Sequence, residues 1–159
     1  MKFLEKDLEE ILWNELQTEK GIDNLTRRGL YIIKNTKAFR QLRIGGYGVS
    51  DIINVTKVGQ NLHINIIELK KDKVSMSAFL QAVRYYKGIR RYLEFRNKTF
   101  DVIWHITLIG SEIDANSDFI FLSDFIEFRL SLVSYSYDVD GIRFNYHSGY
   151  SLKEEGFKS

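Results

Sequence analysis

The strongest constraint on how this chain folds is the alternation running from Val49 to Lys70. Successive side chains of a β-strand point to opposite faces. Val49, Asp51, Ile53 and Val55 therefore share one face of a first strand. Ile64, Ile66, Glu68 and Lys70 share one face of a second, with Asn65, Ile67 and Leu69 on the other. Pairing through the intervening Lys57-Val58-Gly59-Gln60-Asn61 turn brings two carboxylates and one ammonium to one sheet edge. Apolar strands seldom end in opposite charges on one face unless something is bound or transformed there. In outline this is a site for metal-assisted hydrolysis.

The rest of the chain reads as alternating helices and strands. Leu4, Leu8, Ile11, Leu12 and Leu16 recur at helical spacing, so a helix is expected from about Phe3 to Gln17, with Gly21 as its stop. Glu5, Asp7, Glu9 and Glu10 load its first turns with acid, as the helix dipole favours. Asn24 to Lys37 is ambiguous, with Thr26 to Leu30 a turn and Leu30 to Ile33 a short strand or a helical turn. Strands are expected at Ala38–Ile44, Val49–Val58 and Leu62–Leu69, the first two separated by Gly45-Gly46-Tyr47-Gly48. Ser75 or Ser77 caps a long second helix to about Phe95, with Phe79, Leu80, Val83, Tyr86, Ile89 or Arg90, and Leu93 as its core stripe. A strand follows at Val102–Ile109, then a partly helical apolar unit at Phe119–Phe128. A hairpin pairs Leu132–Tyr137 with Ile142–Tyr146 around Asp138-Val139-Asp140-Gly141.

At 159 residues the chain has the length of a single domain with a sizeable core. It has no cysteine, which excludes disulfides and thiolate metal sites. No apolar stretch reaches the length of a membrane span and the N-terminus is acidic, so no membrane partner and a cytoplasmic location are expected. The net charge of +2 conceals an asymmetry. Residues 34–98 carry 14 basic and 4 acidic side chains, whereas residues 99–159 carry 4 basic and 10 acidic ones. The basic excess surrounds the candidate site, where a polyanion would have to sit, although a solvated positive face needs no partner.

Mg²⁺ and similar hard cations prefer carboxylate and carbonyl oxygens plus water. Asp51, Glu68 and the backbone carbonyl of Leu69 would supply such a shell, and Lys70 could hold or help deprotonate an attacking water. Alone, Glu-Leu-Lys is an ordinary exposed ion pair worth little; an aspartate upstream in strand register is what makes it a candidate. Gln81 and Tyr85 are four apart and share a helix face, where they could contact phosphate or orient the lysine; the plain alternative puts Tyr85 in the core and Gln81 on the surface. Glu5 or Glu9 could supply a third carboxylate, or could simply serve the helix start. Arg43, Lys71, Lys73, Arg84, Lys87 and Arg91 are candidate phosphate contacts. Several chemistries find no support. The Gly45–Gly48 turn lacks the dinucleotide-binding spacing and leads into a strand, His63, His105 and His147 have no paired ligand spacing, no nucleophile elbow is present, and Asp138–Gly141 lacks the rest of a calcium loop.

Four elements in order resemble the PD-(D/E)XK nuclease superfamily, particularly its RecB-like branch. They are Glu5 (or Glu9) on a first helix, Asp51 after a Gly-containing hairpin, Glu68-Leu69-Lys70 ending a strand, and Gln81-Ala82-Val83-Arg84-Tyr85 on a helix. The first helix together with Ile67-Glu68-Leu69-Lys70 also looks like the nuclease domain of NucS-type endonucleases. The resemblance covers roughly residues 3–110. It implies an α/β restriction-endonuclease-like core, a mixed central β-sheet flanked by helices, with residues 111–159 as a β-rich C-terminal extension of one domain. It further implies Mg²⁺- or Mn²⁺-dependent hydrolysis of phosphodiesters, most often in DNA. Asp51, Glu68 and Leu69 would hold the metal and Lys70 would position water. Glu5 or Glu9 would complete the site, and Gln81 and Tyr85 would support it. The long segment before Asp51 and the lack of a separate DNA-binding domain depart from NucS-type enzymes, so substrate form does not carry over. A homodimer or a partner protein could supply it. The rival readings are a catalytically inactive nucleic-acid-binding module and a protein-interaction domain.

Overall fold

The computed structural model describes residues 3–96, 101–125 and 128–148. Helix α1 (Glu5–Leu16) and helix α2 (Glu19–Arg27) precede three antiparallel strands, β1 (Lys37–Arg43), β2 (Val49–Val58) and β3 (Asn61–Leu69). A short β4 (Lys73–Val74) leads to the long α3 (Met76–Phe95) and then β5 (Asp101–Gly110). β6 (Glu112–Ile113), a 3₁₀ segment (Asp118–Phe125), β7 (Arg129–Asp138) and β8 (Gly141–His147) complete the described chain.

The result is a mixed α/β architecture around one six-stranded sheet, ordered β1-β2-β3-β5-β7-β8. β1, β2 and β3 are antiparallel, β5 runs parallel to β3, β7 parallel to β5, and β8 closes antiparallel. β3 and β5 lie centrally and are buried on both faces toward their C-terminal ends, as strands covered from two sides must be. One face carries α3, packed through Phe79, Ala82 and Tyr86 onto Ile53, Ile64, Ile66 and Ile106. The other carries α1 and α2, packed through Leu8, Leu12 and Leu25 onto Ile52, Ile67, Ile109 and Val133. Among the described residues, no helix is long and apolar enough to cross a membrane.

Most expected elements are present, with four differences. Gly21 does not stop the first helix but lies inside α2, where Thr18 caps the new helix by accepting the Gly21 N–H at 3.0 Å. A Cβ there would fall 2.0 Å from the Glu15 carbonyl oxygen, so glycine serves the close α1–α2 corner rather than a terminus. The segment Leu30–Ile33 is neither strand nor helix. Leu80 is 54% exposed and lies outside the core stripe; Phe79, Val83, Tyr86, Ile89 and Leu93 pack as expected, joined by Ala78, Ala82 and Tyr85. Finally, the C-terminal strands are not appended to the core. β7 hydrogen-bonds directly to β5, so they continue the same sheet.

Candidate active site

β2 and β3 pair through a tight turn with Val58 opposite Asn61, so the expected register holds as far as Ile52 opposite Ile67. One step further the ladder is taken over by a side chain. Asp51 Oδ2 accepts the Leu69 backbone N–H at 2.9 Å. Asp51 and Glu68 thereby stand on the face that carries α3, beyond Ile53 and Ile66. The next residue, Lys70, is tied to the neighbouring strand end by its N–H to the Ile109 carbonyl at 2.7 Å. Its Nζ donates to Gln81 Oε1 on α3 at 2.8 Å and lies 3.6 Å from Glu68 Oε1. The three side chains therefore converge at the C-terminal edge of β3, an edge where open α/β sheets commonly bind ligands.

Glu68 is only 3% exposed, and its Oε2 is buried with no hydrogen-bond partner among the described residues. Burial, reinforced by the Asp51 charge, pushes its carboxyl up to about 8, against the opposing pull of Lys70. Burial also raises Asp51, opposed by the Leu69 N–H; Glu9 and Glu5 raise it further and Lys70 lowers it. Two carboxyls are thus held together with too little positive charge between them, which is the electrostatic deficit a divalent cation fills. An orphaned, buried carboxylate oxygen beside a second carboxylate fits such an ion. Among the described residues, no three His, Asp or Glu side chains cluster closely enough to hold a metal by themselves. The fit therefore depends on two carboxylates, the Leu69 carbonyl and water.

The two candidate glutamates of α1 separate cleanly. Glu9 is buried and has both oxygens engaged, Oε1 by Arg40 Nε at 2.7 Å and Oε2 by Gln41 Nε2 at 2.8 Å. Glu5 accepts the Lys71 N–H at 3.1 Å, immediately after the motif, and its charge reaches both Asp51 and Glu68. Tyr135 fixes the same segment from β7, donating its hydroxyl to the Lys71 carbonyl at 2.8 Å. Nothing in the spacing of the sequence pointed to Tyr135.

Tyr85 is buried, 6% exposed, and packs in the α3 core. Burial first, and then the charges of Glu68 and Asp51, raise its hydroxyl, so it stays protonated as a donor beside the carboxyls. Gly48 lies against it: φ is +114°, and a Cβ there would come within 3.1 Å of Tyr85 Cε1. Gly88 on α3 likewise admits Tyr47, whose Cγ would stand 2.7 Å from an added Cβ. The glycine-rich turn therefore seats β2 against α3 and sets where Asp51 begins.

The candidate phosphate contacts do not form one uniform set. Arg84 and Lys87 are exposed on α3 and make no ion pair among the described residues. Lys71 is half-buried beside the site, 4.0 Å from Asp72. Lys73 pairs with Glu112 at 3.7 Å and Arg91 with Glu94 at 3.8 Å. Arg43 and Arg91 flank an apolar groove of about 1060 Å³ walled by Phe39, Tyr47, Tyr92 and Phe95.

Sequence spacing also missed a histidine pair. His63 and His105 come from sequence-distant strands, yet their Nδ1 and Nε2 atoms stand 3.1 Å apart. The legible signal was a row of polar residues on the inner face of strands otherwise rich in isoleucine. Compared with known protein-family models, with curated proteins and with solved structures, the chain matches none.

Proposed function

We propose that this protein is a metal-dependent nuclease that hydrolyses phosphodiester bonds of DNA on a restriction-endonuclease-like fold. The observation that carries the reading is the convergence of Asp51, Glu68 and Lys70, with one buried Glu68 oxygen lacking any partner. Asp51, Glu68 and the Leu69 carbonyl would hold Mg²⁺ or Mn²⁺. The ion would supply Lewis-acid polarisation of the phosphoryl oxygen and charge neutralisation at the scissile phosphate. Lys70, held by Gln81, positions the attacking water and its departing proton. Glu5 completes the acidic rim from α1, and Tyr85 offers a protonated hydroxyl to a phosphate oxygen.

Substrate approach is supported by charge and by aromatic surface. Arg84 and Lys87 present unpaired cations along α3, suited to a phosphate backbone. The groove between β1 and α3 adds aromatic faces on which unpaired bases could stack, flanked by Arg43 and Arg91. The test is cleavage of plasmid and single-stranded DNA with Mg²⁺ or Mn²⁺. Loss of cleavage in Asp51→Ala and Lys70→Ala supports the reading, and full activity in both ends it. DNA binding without cleavage in either metal would leave a binding module in its place.

A further inference from the structure

A second polar cluster stands on the opposite sheet face, that of Ile52 and Ile67 rather than Asp51 and Glu68. Asn54 and Thr56 of β2, His63 and Asn65 of β3, and His105 and Thr107 of β5 line a cleft of about 170 Å³. Strand register places Asn54, Asn65 and His105 in one row and Thr56 and His63 in the next. These six polar side chains, faced across the cleft by Tyr31, Ile32 and Ile33, form a polar floor suited to a polar occupant. His63 Nδ1 and His105 Nε2 face each other at 3.1 Å, their rings 28° from coplanar. Asn54 is 5% exposed, and its Oδ1 is buried without a partner. Thr107 already donates to Asn65 Oδ1 at 2.9 Å, so the second carboxamide is satisfied and the first is not.

We propose that this cleft binds a divalent first-row transition metal, with His63 Nδ1 and His105 Nε2 as its nitrogen ligands and Asn54 Oδ1 as a neighbouring oxygen. Imidazole favours Cu²⁺, Ni²⁺ and Zn²⁺ over hard cations. Metal–nitrogen bonds of about 2.0–2.1 Å across the observed gap subtend an angle of roughly 100° at the ion. That lies midway between the right angle of a tetragonal site and the tetrahedral value, so Cu²⁺, Ni²⁺ and Zn²⁺ are all accommodated. Proton balance is simple. In the metal-free pair one facing nitrogen carries the shared hydrogen; binding requires that imidazole to move its proton to the remote ring nitrogen. Each ring then ligates through the facing lone pair, and none of the protein's net protons is lost. Arg129 is exposed and stands in register with His105, so its charge opposes the cation and limits affinity.

The experiment is calorimetric titration of the whole protein with Ni²⁺ and with glycine-buffered Cu²⁺, alongside electron paramagnetic resonance of the Cu²⁺ form. One equivalent should bind through nitrogen, distinguished from any ion held by the Asp51 and Glu68 carboxylates by superhyperfine structure from two imidazoles. His63→Ala and His105→Ala should each weaken binding at least tenfold and remove one nitrogen from the spectrum. Arg129→Ala should tighten it, a gain that misfolding cannot mimic. His147→Ala and Glu68→Gln should leave it unchanged, and millimolar Mg²⁺ should not compete, which separates this site from the carboxylate site. Absence of binding, or binding that survives both the His63 and the His105 substitution, overturns the proposal.

Discussion

Asp51 Oδ2 receives the Leu69 N–H at 2.9 Å at the point where the β2–β3 ladder ends, so one carboxylate serves the sheet and the site together. These two duties can be separated. Asp51→Asn keeps an acceptor for the Leu69 N–H but removes the charge, and should lose cleavage with little change in unfolding midpoint. Asp51→Ala removes both, and leaving that N–H without its acceptor should cost about 1–3 kcal/mol in addition. Denaturant unfolding of the two variants beside a DNA-cleavage assay checks this. Equal destabilisation by both substitutions would refute the division.

Glu68 should make the protein less stable in alkali. Its folded-state carboxyl is raised from 4.5 to about 8, so the folded protein holds a proton that the unfolded chain has released across that window. Stability from this group is therefore fully present below pH 4.5 and is lost as pH rises toward 8. Thermal unfolding in chelator should show the melting temperature falling from pH 5 to pH 8, and Mg²⁺ at pH 8 should restore it. Glu68→Gln should flatten the pH dependence and raise the pH 8 melting temperature while abolishing cleavage. A melting temperature that climbs through this window in the parent and is unaltered in the variant would contradict the assignment.

Lys70 is held between Gln81 Oε1 at 2.8 Å and Glu68 Oε1 at 3.6 Å, so its ammonium is aimed rather than free. If it positions the attacking water, Lys70→Met should reduce kcat by about 10²–10⁴-fold, the span usual for a lost acid–base group. Gln81→Ala removes only the aim and should cost on the order of tenfold, equal to one ordinary hydrogen bond. The double variant should be no slower than Lys70→Met alone, because Gln81 acts through the lysine. Single-turnover rates with saturating DNA give the comparison; additive losses would make Gln81 an independent contact.

The alternation from Val49 to Lys70 made the centre of the fold legible, since a one-residue slip would have turned every isoleucine to the wrong face. Helix α3 was legible from Ser75 to Phe95, and so was most of its core stripe: Phe79 and Tyr86 are buried and Val83, Ile89 and Leu93 pack against them, whereas Leu80 turns outward. Small residues Ala78 and Ala82 bury against the core and Gly88 admits Ile44 and Tyr47, positions that periodicity read from large apolar side chains overlooked. α2 was hidden because Gly21 normally argues against a helix interior, and only the α1–α2 contact explains it. The same limit applies at the sites. Asp51, Glu68 and Lys70 are close in sequence and could be paired on paper. Tyr135 with Lys71, and His63 with His105, meet only through the parallel pairing of β3, β5 and β7, which no local pattern specifies.

Glu5 and Glu9 stand one turn apart on α1, and the structure gives them different partners that predict different phenotypes. Glu9 is buried, and Arg40 and Gln41 occupy both of its oxygens. Gln41 holds a left-handed backbone, φ 50°, to reach it, a conformation that costs free energy and persists only where the surroundings demand it. Glu9→Ala should therefore destabilise the fold by about 2–4 kcal/mol, two charge-assisted bonds lost at a buried position. Glu5 is exposed and, among the described residues, its hydrogen bond is to the Lys71 N–H, so Glu5→Gln should leave stability within about 0.5 kcal/mol. Its charge, however, reaches Glu68, and with it the site's attraction for a cation. The Mg²⁺ concentration giving half-maximal cleavage should rise several-fold in Glu5→Gln, with saturating metal recovering most of the rate. In Glu9→Gln, which keeps one acceptor oxygen for Arg40, that concentration should rise less at temperatures where the variant is folded, because Glu9 acts on Asp51 and not on Glu68 and its charge is met by Arg40. A metal requirement that shifts with Glu9 and not with Glu5 would assign the third carboxylate the other way.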